Sequence, residues 1–104
     1  MLKENATITR VYLANHDYGG KTIRFDKTNA SGAIGTGRKT TPEQIQCLLK
    51  ILNASSLEEV KDASCVFAYH NMYLVAIGTS DETLWCDLSM CDLITARELE
   101  QRFQ

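Results

Sequence analysis

Cys65-Val66-Phe67-Ala68-Tyr69-His70-Asn71-Met72-Tyr73-Leu74-Val75-Ala76-Ile77 is the stretch on which the fold turns. Residues 65–69 and 72–77 are short apolar runs rich in β-branched and aromatic side chains, and His70-Asn71 joins them. They read as two strands in a hairpin. Downstream, Gly78-Thr79-Ser80-Asp81 turns the chain and Thr83-Leu84-Trp85-Cys86 is a candidate last strand. Thr95 with Glu98 three residues on caps a C-terminal helix running to Phe103, with Leu99 and Phe103 on one face.

Upstream, Ser56-Leu57-Glu58-Glu59-Val60 has the capping pattern of a short helix, and Thr41-Pro42-Glu43-Gln44 starts a longer one. Thr41 suits the N-cap, Pro42 the first turn and Gln44 the reciprocal position of a capping box. Ile45, Leu48, Leu49 and Leu52 then form a single apolar stripe. Residues 6–13 and 21–26 read as strands, with the Asn15-His16-Asp17-Tyr18-Gly19-Gly20 turn making them a hairpin. Residues 28–40 are loop-like, with a short strand around Ile34. Hairpins with few crossovers predict an α+β fold in a single domain, residues 1–104: a small antiparallel β-sheet with about two to three helices packed on one face. The other face is then exposed or open to oligomerisation.

The chain has 104 residues, 44% apolar and 23% charged, which is the make-up of a globular domain with one modest core. A net charge of −2 argues against a general nucleic-acid binder. No apolar run approaches the about 20 residues of a membrane span. Met1-Leu2-Lys3-Glu4-Asn5 has no signal-peptide stretch, so the expected location is the cytoplasm. Without a secretion signal, the cysteines at 47, 65, 86 and 91 read as reduced thiols. Cys86 and Cys91 lack the close spacing of common zinc knuckles, and neither metal nor cofactor is expected.

The loop from Gly32 to Lys39 is the most suggestive local feature. Gly35 and Gly37 let backbone approach a ligand, Arg38 and Lys39 add charge, and a helix N-terminus follows, so the group could hold a phosphate. The nucleoside-triphosphatase loop is not matched, because Arg38 stands at its lysine position and no apolar strand leads in. The bland alternative is a surface turn. His16 and Asp17 beside Tyr18 could contact a polar ligand, or be a solvated turn. Cys65 and His70, five apart on a strand, fall on opposite faces and do not make a thiol–imidazole pair. Trp85, Tyr69 and Tyr73 could stack on a base, or simply fill a core.

Four stretches together resemble a known group. They are Asn5-Ala6-Thr7-Ile8, the His16–Gly20 turn, the Ile45–Leu52 helix with Ser56-Leu57-Glu58-Glu59-Val60-Lys61, and Val75-Ala76-Ile77-Gly78 with Trp85-Cys86-Asp87-Leu88. In this order they resemble small phage and prophage proteins of mostly unassigned function, including proteins like the anti-Thoeris sponges. Those sequester cyclic ADP-ribose signals, and in some cases cyclic oligonucleotides, in pockets at subunit interfaces. The chain departs from the group in a shorter, more polar second strand and in Ala76, where a basic residue is common.

The resemblance implies a homo-oligomeric, non-enzymatic phage counter-defence protein that sequesters a cyclic nucleotide or ADP-ribose-type immune signal in the host cytosol. Arg24, Arg38 and Lys39 would contact phosphates, while Tyr18, Phe25 or Trp85 would stack on a base. His16, Asp17, Gly35 and Gly37 complete the expected ligand site. The alternative is a protein-binding inhibitor of a host defence complex.

Overall fold

The computed structural model describes residues 1–28, 32–36 and 38–104. Cys65, Val66, Phe67 and Ala68 are buried in succession, so the strand that holds them is covered on both faces. That strand, β4 (Ser64–His70), lies at the centre of the sheet. The other strands are β1 (Leu2–Asn15), β2 (Lys21–Lys27), β3 (Ile34–Gly35), β5 (Tyr73–Gly78), β6 (Leu84–Asp87) and β7 (Asp92–Thr95). Their order is β3-β2-β1-β4-β5-β6-β7, and every pairing is antiparallel. The α+β antiparallel class is as expected; the sheet is larger than expected.

β1 makes that size possible. Its first half, Leu2–Thr7, pairs with β4, and its second half, from Ile8 to Asn15, pairs with β2. The register slips between Ile8 and Arg10. At that point the Ile8 N–H donates to the Ala63 carbonyl and its carbonyl accepts from the Asp62 N–H. One strand thereby joins two ladders, with a bulge where the sheet bends.

Helix α1 (Pro42–Ile51) and helix α2 (Ala96–Arg102) cover opposite faces, not one. Cys65, Phe67, Ile77 and Cys86 pack with Leu48 and Ile51 of α1. Their strand neighbours Val66, Ala68, Ala76 and Trp85 pack with Leu99 of α2. The strand period of two forces this division once both neighbours are apolar. A short 3-10 turn, Leu57–Val60, stands where a third helix was expected, and Leu57 packs on the α1 side. Ser56 makes no side-chain cap there; the Glu59 carboxylate instead accepts from the Ser55 N–H at 2.9 Å.

The caps set the helix ends. Thr41 accepts from the Gln44 N–H, while the Gln44 amide donates away to the Leu88 carbonyl at 2.7 Å and ties α1 to the β6–β7 turn. At α2, Thr95 and Glu98 form the full reciprocal capping box. No helix among the described residues is long and apolar enough to cross a membrane.

Candidate functional site

Alternation along β2 builds the site. Ile23 and Phe25 turn into the α1 core, which leaves Thr22 and Arg24 on the opposite face. Thr22 and Arg24 line a cleft of about 340 Å³ together with Asn15, His16 and Asp17 from the hairpin turn, Gly35 of β3 and Tyr73 of β5. Thr22 is only 6% exposed, and its hydroxyl has no hydrogen-bond partner among the described residues. His16 is held by the turn: its Nδ1 accepts from the Tyr18 N–H at 3.2 Å, which places the proton of the neutral ring on Nε2. Asn15 accepts from the Lys21 ammonium. The cleft therefore combines a guanidinium and an imidazole with one carboxylate, Asp17, over the buried Thr22.

A second cleft, of about 370 Å³, adjoins it. Thr36 and Arg38 form one wall, and His70, Asn71 and Tyr73 another. Leu74, Val75, Leu88 and Phe103 give it an apolar lining, with Ser89 as a further polar group. The Thr36 hydroxyl accepts from the Arg38 N–H at 3.4 Å and so fixes the backbone that carries the guanidinium. His70 packs its ring 5.6 Å from Phe103. The chain leaves the edge of β2 after Gly35 and rejoins it at Thr40, whose N–H donates to the Lys21 carbonyl and whose hydroxyl accepts from the Ile23 N–H. Residues 36 and 38 thus project from the edge towards the β4–β5 turn.

The ten expected site residues divide accordingly. His16, Asp17, Arg24 and Gly35 come together in the smaller cleft, and Arg38 lines the larger one. Gly37 lies outside the described residues. Phe25 and Trp85 are corrected: both are fully buried and have no surface on which a base could stack. Phe25 sits edge-on to Phe67, and Trp85 packs on Gly78 while its indole N–H donates to the Glu82 carbonyl at 3.1 Å. Tyr18 is 87% exposed and lines neither cleft. Lys39 lies along Gly20 of the hairpin turn and lines neither cleft. The N-terminus of α1 is capped by Thr41 and is not part of either wall, so the expected cradle of glycine loop plus helix start is not assembled.

Tyr73, read from the sequence as able to stack on a base, lines both clefts; Thr22, His70 and Asn71 are the lining residues that sequence reasoning did not place in a ligand site. For Thr22 a signal existed: the alternation that makes Arg24 a surface residue puts Thr22 beside it and sends Phe25 inward. No local signal places Tyr73 against Gly35.

Potential nucleophiles lie elsewhere. Burial pushes the Cys65 thiol up to about 12 and raises those of Cys86 and Cys47 as well. Cys65 faces the α1 core while His70 contacts Phe103 on the other side. The Asp87 carboxylate accepts from the Ser89 and Met90 N–H groups, the Ser89 hydroxyl and Arg102. Among the described residues no three His, Cys, Asp or Glu side chains converge as metal ligands would. No protein-family model, curated protein or solved structure matches the chain. The likeness to phage proteins therefore stands on its quoted residues alone.

Proposed function

We propose that this chain captures a small phosphorylated ligand of the nucleotide class and holds it without cleaving it. The likeness to phage sponges gives that reading its specific form, the sequestration of a cyclic nucleotide signal by a homo-oligomeric counter-defence protein. The observation that carries the proposal is the smaller cleft itself, where the exposed Arg24 guanidinium stands with His16 and Asn15. A guanidinium binds an anionic oxygen through charge-assisted hydrogen bonds, roughly twice as strong as neutral ones. Asp17 in the same cleft suits a sugar hydroxyl, which donates to a carboxylate. The cleft's groups are mainly hydrogen-bond donors, which suits holding a phosphate.

Thermal shift against a panel of cyclic and linear nucleotides tests this. A true ligand at about 100 times its dissociation constant adds about 2.7 kcal/mol of stability. Thr22→Val removes the hydroxyl at nearly constant shape. It is expected to leave the unliganded protein as stable or more so, because the buried hydroxyl has no partner among the described residues. A panel with no shifts in the unmutated protein would sink the reading.

A second reading, a protein-binding inhibitor, draws on one observation. Leu2 and Met72 are strongly exposed and, with Met1 and Tyr69, line a shallow apolar cleft at the end of the sheet. Co-purification of a host protein without any nucleotide shift would select it.

A further inference from the structure

We infer that the two clefts are subsites for one ligand, a nucleoside unit with phosphate groups on both sides of it, with Tyr73 as the divider against which its ring packs. This rests on the capture reading above and goes further than it. Tyr73 lines both clefts and is itself largely exposed between them. On the opposite wall Gly35 lines the smaller cleft and the next residue, Thr36, the larger, so the partition there is one residue thick.

The chemistry is duplicated across that partition. Arg24, His16 and Asn15 stand on one side, and Arg38, His70 and Asn71 on the other. A ligand with a single phosphate uses one guanidinium and leaves the second set idle. A ligand with two separated phosphates uses both. Size points the same way. Small-molecule sites run from about 300 to 1,000 Å³, and each cleft alone sits at the bottom of that range, while the pair reaches its middle. The larger cleft also supplies the apolar lining that a base or sugar ring requires, and the smaller one does not.

The experiment is calorimetric titration with two probes, adenosine 5′-monophosphate and adenosine 3′,5′-bisphosphate. Binding of the bisphosphate about tenfold to a hundredfold tighter is expected, the worth of one additional charge-assisted contact. Arg24→Ala and Arg38→Ala each bring the bisphosphate down to the monophosphate level, whereas Tyr73→Phe keeps the difference between probes. Both arginines are surface residues, so the variants should fold, and circular dichroism checks it. Equal affinity for the two probes, or a bisphosphate indifferent to Arg38→Ala, overturns the two-subsite inference and leaves single-cleft capture standing. Failure of both probes, together with a silent nucleotide panel, overturns the capture reading itself.

Discussion

Gly78 lies directly against the Trp85 ring: a Cβ built there would fall 2.6 Å from two of its carbons. The contact comes from register, since Gly78 and Trp85 are cross-strand partners. The tryptophan cannot retreat, because its N–H is bound to the Glu82 carbonyl, Lys3 sits 5.5 Å from its ring and it is wholly buried. Gly78→Ala is therefore expected to cost about 1–3 kcal/mol by overpacking. Urea unfolding followed by Trp85 fluorescence measures it, and an unchanged midpoint would refute the contact. The same scale shows why two stacking candidates failed. Aromatic residues are as easily core as ligand contacts: Phe25 shares its face of β2 with buried Ile23, while Trp85 is enclosed by Val66, Ala68, Ala76, Ile94 and Leu99 from other elements.

Helix α2 is only seven residues long, and its hold on the sheet is local. Leu99 packs under Trp85, and Arg102 binds Asp92 with two hydrogen bonds and Asp87 with a third, at 2.8 to 2.9 Å. The Arg102 hydrogen bonds hold the Asp92 carboxyl below its ordinary value of 3.8. A depressed carboxylate adds stability above the unfolded value, and that stability is lost as pH falls through the lower folded one. Arg102→Gln is thus expected to lower the melting temperature at pH 7. The gap to the unmutated protein should narrow progressively below about pH 4. Melting curves from pH 7 to pH 2 test this, and a gap that stays constant would show that Asp92 contributes nothing. The capping box at Thr95 was legible because both partners lie within four residues. β7 was not: Asp92-Leu93-Ile94-Thr95 is too short for a pattern and is a strand only because β6 lies beside it.

At the scale of the whole molecule, the cysteines report on how the α1-side core is sealed, since all three buried ones lie in it. Cys47, Cys65 and Cys86 are buried, and Cys91 is partly exposed. Burial holds Cys65 neutral up to about 12, against an ordinary 9.0. An acid whose folded value is raised favours the folded state fully below the unfolded value, and the advantage is lost as pH rises through the folded one. At pH 8 a small thiol reagent should react quickly with Cys91 alone. The other three should react at rates that rise with denaturant in step with unfolding. Cys91→Ser should remove the fast phase; a fast phase that persists would contradict the packing. The radius of gyration, 12.6 Å, fits one packed unit of this length.

The sequence by itself determined what depends on near neighbours: the strands other than β7 with their hairpins, the Thr41 and Thr95 caps, and the antiparallel α+β class. It also carried a signal that the one-face expectation overlooked, the unbroken apolar run from Cys65 to Tyr69, which is the mark of a strand covered on both sides. Only the tertiary structure decided the site. Thr22 and Arg24 meet Tyr73, and Arg38 meets His70, because β1 bends and splits its pairing between β2 and β4. Gly35 on the β3 edge and Tyr73 beside the β4–β5 turn thereby line one cleft. Pairing between residues some sixty positions apart leaves no periodic trace in either segment. The physical reason is that local pattern fixes which face a side chain takes within its strand, while the partner across a cleft is chosen by the path of the whole sheet.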